Sequence, residues 1–517
     1  MADKISVMDY PRVPIDFSPQ MPPLKRVEDK TKINIRYLLI APFAFAHIYW
    51  DAENSELKYE VEEPKLDEQE NVYKEEITSS MEKIISIGEI IEKDQDALLD
   101  YIDKMQKFLI NELGIEMSYE SYKKIYYYLC RDFFGFNEID PFLRDYFVED
   151  IECNGANSPI YVVHRYYRNI KTNVNFTDIE KLTNFVEKIA QKAGRYISYA
   201  NPILDGTLSD GSRVNATYTK DITSKGPTFT IRKFTKTPWT PPELVSLGTL
   251  SPEMFAYLWM LIQYEMNILI IGGTSSGKTT LLNAIAFFIP PEARVVSIED
   301  TRELNLPREN WLPSVERTAT GKEDTGEINL FTLLRSSFRQ NPDYVIVGEV
   351  RGKEAYVLFQ GMASGHSSIS TIHADSVDTV IKRLETPPIE LPPTLMNVLD
   401  CVCIMTHAVV KKQETRKLKE VVEIINVSTE GTATTNTPFK WNPNDNMFYF
   451  KKNSKIFEKI AVRTGNKLEE IELEFRKRSQ LIYKLYQKKF FDFEKVQNLV
   501  NEYYKNPQKI LKEFGIV

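Results

Sequence analysis

Hydrophobic and polar positions change rhythm several times along the 517-residue chain, and each change marks an element. Residues 1–30 carry Pro11, Pro14, Pro19, Pro22 and Pro23 and no periodicity, the pattern of a flexible tail. Between Tyr37 and Glu63 the apolar runs Tyr37–Tyr49 and Leu57–Glu62 are strand-like. An acidic stretch follows. Ile84, Ile85, Ile87, Ile90, Ile91, Leu98, Leu99 and Ile102 then recur at helical spacing within Glu76–Leu113. Residues 117–234 predict an α+β region, with a strand at Ser158–His164, a helix at Ile179–Ala193 and a hairpin over Arg213–Arg232 broken at Lys225-Gly226-Pro227. Thr235–Glu243 places three prolines in nine residues, a semi-rigid connector and the main domain boundary. From Leu244 to Asn426 strands and helices alternate as in a parallel sheet, and Phe457–Val517 reads as charged amphipathic helices with tyrosine and phenylalanine anchors.

Composition narrows the class. A length of 517 residues exceeds the ~250–300 at which single cores stop growing, so more than one domain is expected. The net charge of −8 is the wrong sign for a generic nucleic-acid binder, and no nucleic-acid partner is expected. Cys130, Cys153, Cys401 and Cys403 form no Cys-x-x-Cys pair, so neither a zinc ribbon nor a disulfide framework is suggested. Cys401 and Cys403 read as core residues. The N-terminus lacks a signal-peptide pattern, and the most apolar segments fall short of the ~20 residues that span a bilayer. The expected location is cytoplasmic, with any membrane association through a partner.

The chemistry centres on Gly272-Gly273-Thr274-Ser275-Ser276-Gly277-Lys278-Thr279, followed by Thr280. This is the phosphate-loop pattern, set between a strand-like Asn267–Ile271 and a helix-like Thr280–Ala286, the context that gives the pattern meaning. Loop amides and the helix N-terminus converge on phosphate oxygens, and glycine lets the backbone approach. Lys278 adds a charge at the β/γ phosphates, and the Thr279 hydroxyl can sit on Mg2+. ATP and Mg2+ are the cofactors implied.

Three further segments bear on what happens to the nucleotide. The strand Ala293–Ile298 ends in Glu299-Asp300-Thr301-Arg302-Glu303, where a carboxylate falls in the ligand crevice and can orient a water; either Glu299 or Glu303 suits that role. Tyr344–Val347 is a buried strand with Gly348 and Glu349 just past it, while Asp343 sits at the strand's other end as a turn residue. Gly365-His366 to His373-Ala374-Asp375 holds two histidines with no ligand at metal spacing. They fit sensing of the γ-phosphate or the linking of neighbouring segments.

The ordered set Gly272–Thr280, Ser297–Glu303, Gly348–Ala355 and Gly365–Ala374 resembles the Walker A, Asp box, Walker B and His box of the type II/type IV secretion ATPase superfamily. Glu149–Gly155, Leu208–Val214 and Thr230–Phe234 resemble its N-terminal-domain signatures. Phe136–Pro141 and Gly361–His366, with the acidic N-terminal module and tyrosine-rich C-terminal helices, look most like the archaeal branch, which powers the archaellum and type IV pilus-like filaments. The resemblance implies Glu299 as catalytic carboxylate, Glu349 as Walker B glutamate and metal ligand, and Arg213 and Arg232 as arginine fingers. It also implies a RecA-like α/β P-loop domain at 244–430, a separate α+β N-terminal region at 31–234 with a PAS-like domain after about residue 116, and a helical region at 431–517. A ring homo-hexamer, a polytopic membrane platform protein and polar lipids are the implied partners. The four-cysteine zinc module of bacterial type II secretion ATPases is absent, as is the Ala-Ile-Arg-Asn-Leu-Ile-Arg signature of retraction motors. Assembly or rotation is therefore favoured over retraction, with conjugation-type translocation on the same core as the rival.

Overall fold

The computed structural model describes residues 7–18, 24, 27, 29–84, 95–234, 237–317, 326–410 and 413–516. It divides into two compact units, Met1–Phe234 and Thr235–Val517. The first unit is built on one nine-stranded sheet: β1 (Asn34–Ile40), β2 (Ala44–Asp51), β3 (Glu56–Glu62), β4 (Val148–Cys153), β5 (Pro159–His164), β6 (Arg168–Asn175), β7 (Ile203–Thr207), β8 (Arg213–Thr217) and β9 (Thr228–Arg232). Its order is β1-β2-β3-β6-β5-β4-β9-β8-β7. The run Tyr37–Tyr49, expected as one strand, is the β1–β2 hairpin. Pro42 cannot donate to a ladder, and the turn closes with Phe43 N–H donating to Ile40 O at 2.7 Å.

The N-terminal strands are not a separate accessory module, because their inward residues share a core that runs from Val13 to Ile231. The join is short. β3 pairs with β6 in parallel at Lys58↔Lys171 and Tyr59↔Thr172. The Asn173 side chain then continues the ladder, accepting from Val61 N–H at 2.9 Å and donating to Val61 O at 3.1 Å. Helices Glu68–Ile84, Gln95–Glu112 and Tyr119–Phe133 form the helical part of this region. The helical spacing expected at Ile85, Ile87, Ile90 and Ile91 lies outside the described residues.

The proline-rich start is also more ordered than a tail. Val13 and Phe17 are 1% and 4% exposed. Asp16 exchanges backbone hydrogen bonds with Ala41 at 3.0 and 3.1 Å. The Arg144 guanidinium lies 5.3 Å from the Phe17 ring. Composition misled here because prolines, which signal disorder in a polar context, also reduce the entropy lost when a segment docks through two apolar anchors. Pro19, Pro22 and Pro23 lie outside the described residues.

The second unit holds β10 (Ile268–Ile271), β11 (Val295–Glu299), β12 (Trp311–Val315), β13 (Tyr344–Val350), β14 (Ser367–Ile372), β15 (Cys401–Val410), β16 (Gln413–Val427), β17 (Ala433–Asn442) and β18 (Met447–Phe450). The order is β12-β11-β13-β14-β10-β15-β16-β17-β18, parallel through β15 and antiparallel beyond it. β10 is buried along its whole length between β14 and β15. The sheet continues past the expected boundary at residue 430, since Phe439 and Trp441 alternate inward on β17. Only after β18 do the expected helices begin, at Lys455–Thr464, Leu468–Gln487, Phe493–Lys505 and Pro507–Glu513. They pack on the helix Pro252–Gln263, buried from Met254 to Ile262, where the Trp259 ring stacks on Phe288 at 4.9 Å and lies 4.8 Å from the Arg478 guanidinium.

The connector is shorter than Thr235–Glu243. Pro241 and Pro242 open a helix, Pro241–Ser246, where a missing N–H costs nothing; Thr235 and Lys236 lie outside the described residues. Phe17→Ala should lower the unfolding free energy of the full chain by roughly 3–5 kcal/mol, the usual range for truncating a buried aromatic side chain to alanine. Thermal and urea unfolding would check this, and an unchanged transition would mean the segment is dispensable to the core.

Candidate functional site

The phosphate loop leaves the carboxyl end of β10 and enters the helix Lys278–Ala286. Gly277 caps that helix at φ +94°, a left-handed conformation that glycine adopts freely. A Cβ on Gly272 would stand 2.4 Å from Ser276 Oγ and 2.6 Å from Met405 O, so only glycine fits there. Gly273, Thr274 and Ser275 are exposed, whereas the buried Ser276 hydroxyl has no hydrogen-bond partner. Lys278 Nζ donates to Gly272 O at 3.2 Å and Gly273 O at 3.1 Å. Burial lowers its pKa, and the carboxylates of Glu349 and Glu303 act against that shift. Thr279 and Thr280, at the start of the helix, are half-buried.

Glu299 ends β11 and is 1% exposed. Its Oε1 accepts from the amides of Glu303 and Leu304, both at 2.9 Å, and its Oε2 is buried without a partner. Burial pushes its pKa up to about 7, although the two amides favour the charged form. Gly348 makes room for it, since a Cβ there would sit 3.1 Å from Glu299 Cγ. Glu303 itself is exposed, and its backbone carbonyl accepts from Asn283 Nδ2 at 3.2 Å.

Glu349 lies within β13 rather than past it. The β13–β14 register slips between Val347 and Val350, and such a bulge re-aims side chains. Glu349 Oε2 accepts from Arg351 Nε at 3.1 Å, and Arg351 also pairs with Asp300 at 3.4 Å. His373, just past β14, meets the loop: its Nε2 is 3.2 Å from Thr274 Oγ1.

His366 does not join this group. It precedes β14, which runs parallel to β10, so a strand of about 20 Å separates it from the loop. Its ring packs 4.9 Å from Phe338 and its Nδ1 is buried without a partner, which suits the linking of segments. Of the two roles expected for the histidines, sensing of the γ-phosphate and the linking of segments, the placement of His366 suits the second. Arg213 and Arg232 belong to the first unit, directly opposite one another on β8 and β9. Both are exposed and paired, Arg213 with Asp205 and Arg232 with Asp150, each at 3.2 Å. Asp343 accepts from Arg294 N–H at 2.7 Å, a turn role at the far end of β13.

Sequence reasoning left Arg351 and Arg416 without roles. Arg351 was within reach, because it lies two residues from Glu349 at the end of β13. Arg416, on β16, donates from Nε to Ser275 O at 3.0 Å across 141 residues, and no local pattern announces that contact. All four cysteines are free and buried. Among the described residues no group of three His, Cys, Asp or Glu is placed to hold a metal, and no helix is long and apolar enough to cross a membrane.

Residues 135–437, more than half of the chain, match the family model of type II/IV secretion system proteins. The chain belongs to that family. An uncharacterised protein of Methanocaldococcus jannaschii is 37% identical over 409 residues, which are 78% of this chain and 73% of that protein. This relative fits the archaeal branch of the secretion ATPase superfamily. The type IV secretion system protein PtlH of Bordetella pertussis is 34% identical over 217 residues, 38% of this chain and 64% of its own. Among solved structures, the VirB11 ATPase of the Brucella suis type IV secretion system, in complex with sulphate, is 25% identical. That likeness covers 54% of this chain and 90% of that one, at a TM-score of 0.28.

The buried Glu299 of this secretion-family protein has a signature independent of activity. Its pKa is raised on folding, so the folded state holds the extra proton between the unfolded value of 4.5 and about 7. Stability should therefore fall as pH rises through that window, by ~3 kcal/mol in all. Glu299→Gln should flatten this part of the pH dependence in denaturant titrations. Parallel curves for the two proteins would show that Glu299 titrates normally.

Proposed function

We propose that this secretion-family protein binds ATP with Mg2+ at the phosphate loop, hydrolyses it, and drives assembly or rotation of an archaellum or type IV pilus-like filament through a polytopic membrane platform protein. The observation that carries the reading is Glu299: one oxygen is fixed by two amides and the other is buried and unpartnered at the carboxyl end of β11. A carboxylate held this way accepts a hydrogen bond from water and orients it for in-line attack, and its pKa of about 7 suits proton transfer near neutrality. Glu303 is exposed and less constrained, which favours Glu299 for this role.

The donor set fits the rest. Loop amides, Lys278 and the helix start bind the phosphates; a hydroxyl on Thr279 and a carboxylate on Glu349 are hard oxygen donors of the kind Mg2+ takes with phosphate. When bound, the ion would neutralise charge on the phosphates. His373, through Thr274, reports on the loop. Arg213 and Arg232 complete the site within a ring homo-hexamer, where guanidinium groups offset charge on the leaving phosphoryl. The chain would work in the cytoplasm, peripheral to the membrane through its platform partner and polar lipids. A conjugation-type nucleic-acid or protein translocation ATPase is the second reading, favoured by the similarity to a type IV secretion system protein. Capture with a filament platform protein supports the first; DNA-stimulated turnover would support the second.

Glu299→Gln should bind ATP near wild-type affinity while turnover falls by at least ~10²-fold, the usual weight of a positioned base. Lys278→Ala should weaken binding and turnover together. Equal hydrolysis by Glu299→Gln and wild type would assign the wrong carboxylate.

If Arg213 and Arg232 act in an assembled ring, turnover per chain should rise with protein concentration. Alanine at either position should then lower kcat more than ATP affinity. A fully active fragment of residues 244–517 would exclude that role.

A further inference from the structure

Lys278 holds the carbonyls of Gly272 and Gly273 in the phosphate loop, but Ser275 O is held by a residue from a distant strand. Arg416 on β16 donates its Nε to that oxygen at 3.0 Å. Its aliphatic stem lies against the same turn, since a Cβ on Gly277 would stand 3.2 Å from Arg416 Cδ. Ser275 needs such support: its φ of +57° is left-handed, which a residue with a Cβ rarely adopts without a fixed partner.

The geometry points to Arg416 as a positioning residue that holds the phosphate loop in its nucleotide-accepting shape. The C=O of Ser275 and the N–H of Ser276 belong to one planar peptide and point in opposite directions. Drawing the carbonyl toward β16 therefore turns the Ser276 amide into the loop, where it meets Gly273 O at 3.4 Å. β16 is rigid at this point. Lys417, the next residue, is 3% exposed with its ammonium against Gly248 O, and Leu418 N–H donates to Thr249 O at 3.0 Å. On the other flank His373 meets Thr274. The loop is thus gripped from β14 and from β16, and the β16 grip is charge-assisted, the stronger kind of hydrogen bond.

This inference rests on the proposal that the loop binds nucleotide, and the test separates the two. Binding of fluorescent mant-ADP and mant-ATP with Mg2+ is measured on the full chain for wild type, Arg416→Gln and Arg416→Lys, with thermal unfolding as a control for folding. Arg416→Gln should weaken both nucleotides equally, by roughly tenfold for loss of a charged hydrogen bond, and raise KM for ATP with little change in kcat. Arg416→Lys should recover part of the loss, because an ammonium can still reach the carbonyl. Wild-type affinity in Arg416→Gln overturns the inference. So does selective loss of mant-ATP, which would place Arg416 on the γ-phosphate instead of on the loop. Failure of wild type itself to bind either nucleotide would overturn the functional proposal beneath it.

Discussion

The backbone of Gly272 runs so close to Met405 that no side chain fits between them; a Cβ would stand 2.6 Å from the Met405 carbonyl oxygen. This contact fixes where the chain turns out of β10, the buried strand flanked by β14 and β15. Every other group at the site is placed with respect to that turn. His373 follows β14, Glu299 closes β11, Glu349 rides the bulge in β13 and Arg416 projects from β16. β10, β11, β13 and β14 are parallel and share one carboxyl edge, so residues far apart in sequence converge there without any need for local pattern. Arg416 reaches that edge from the antiparallel β16.

Charge is arranged with equal economy. Glu299 is buried where ionisation is costly, and Gly348 leaves room for it only by giving up its own side chain. Arg351 spans Glu349 and Asp300 at the more open side. Lys278 is drawn down by burial and supported by neighbouring acids. Charges held this way in a partly dry crevice interact more strongly than they would in water, which is the condition under which a few side chains can govern a highly charged substrate.

Legibility of the sequence followed the range of the interaction. The strand, glycine loop and helix around Lys278 were readable because their pattern is contiguous in sequence, and the place of Glu299 because a strand end is a local feature. The antiparallel pairing of β8 with β9 was legible for the same reason. What depends on tertiary packing was not. His366 is seven residues from His373 yet a full strand away, Arg416 meets Ser275 across 141 residues, and Val13 and Phe17 are anchors that only a finished core reveals. β17 was hidden by its polar outward residues, and the β1–β2 turn by an apolar run that continues through Pro42.

The seam between β3 and β6 has an implication for how this protein came by its extra strands. The family match begins at residue 135, whereas the sheet runs on through β3 to β1, built from residues before that point. Two paired residues and one asparagine side chain standing in for main chain make the ladder at this junction. Strand addition at an open edge needs no more than that. A shortened homologue that stopped at β6 would carry an uncapped row of donors and acceptors there, inviting sheet-to-sheet association between molecules. Such a homologue would need its own cover, a charged flank, a bulge or a neighbouring chain, and what it recruited to that border would distinguish its assembly from this one.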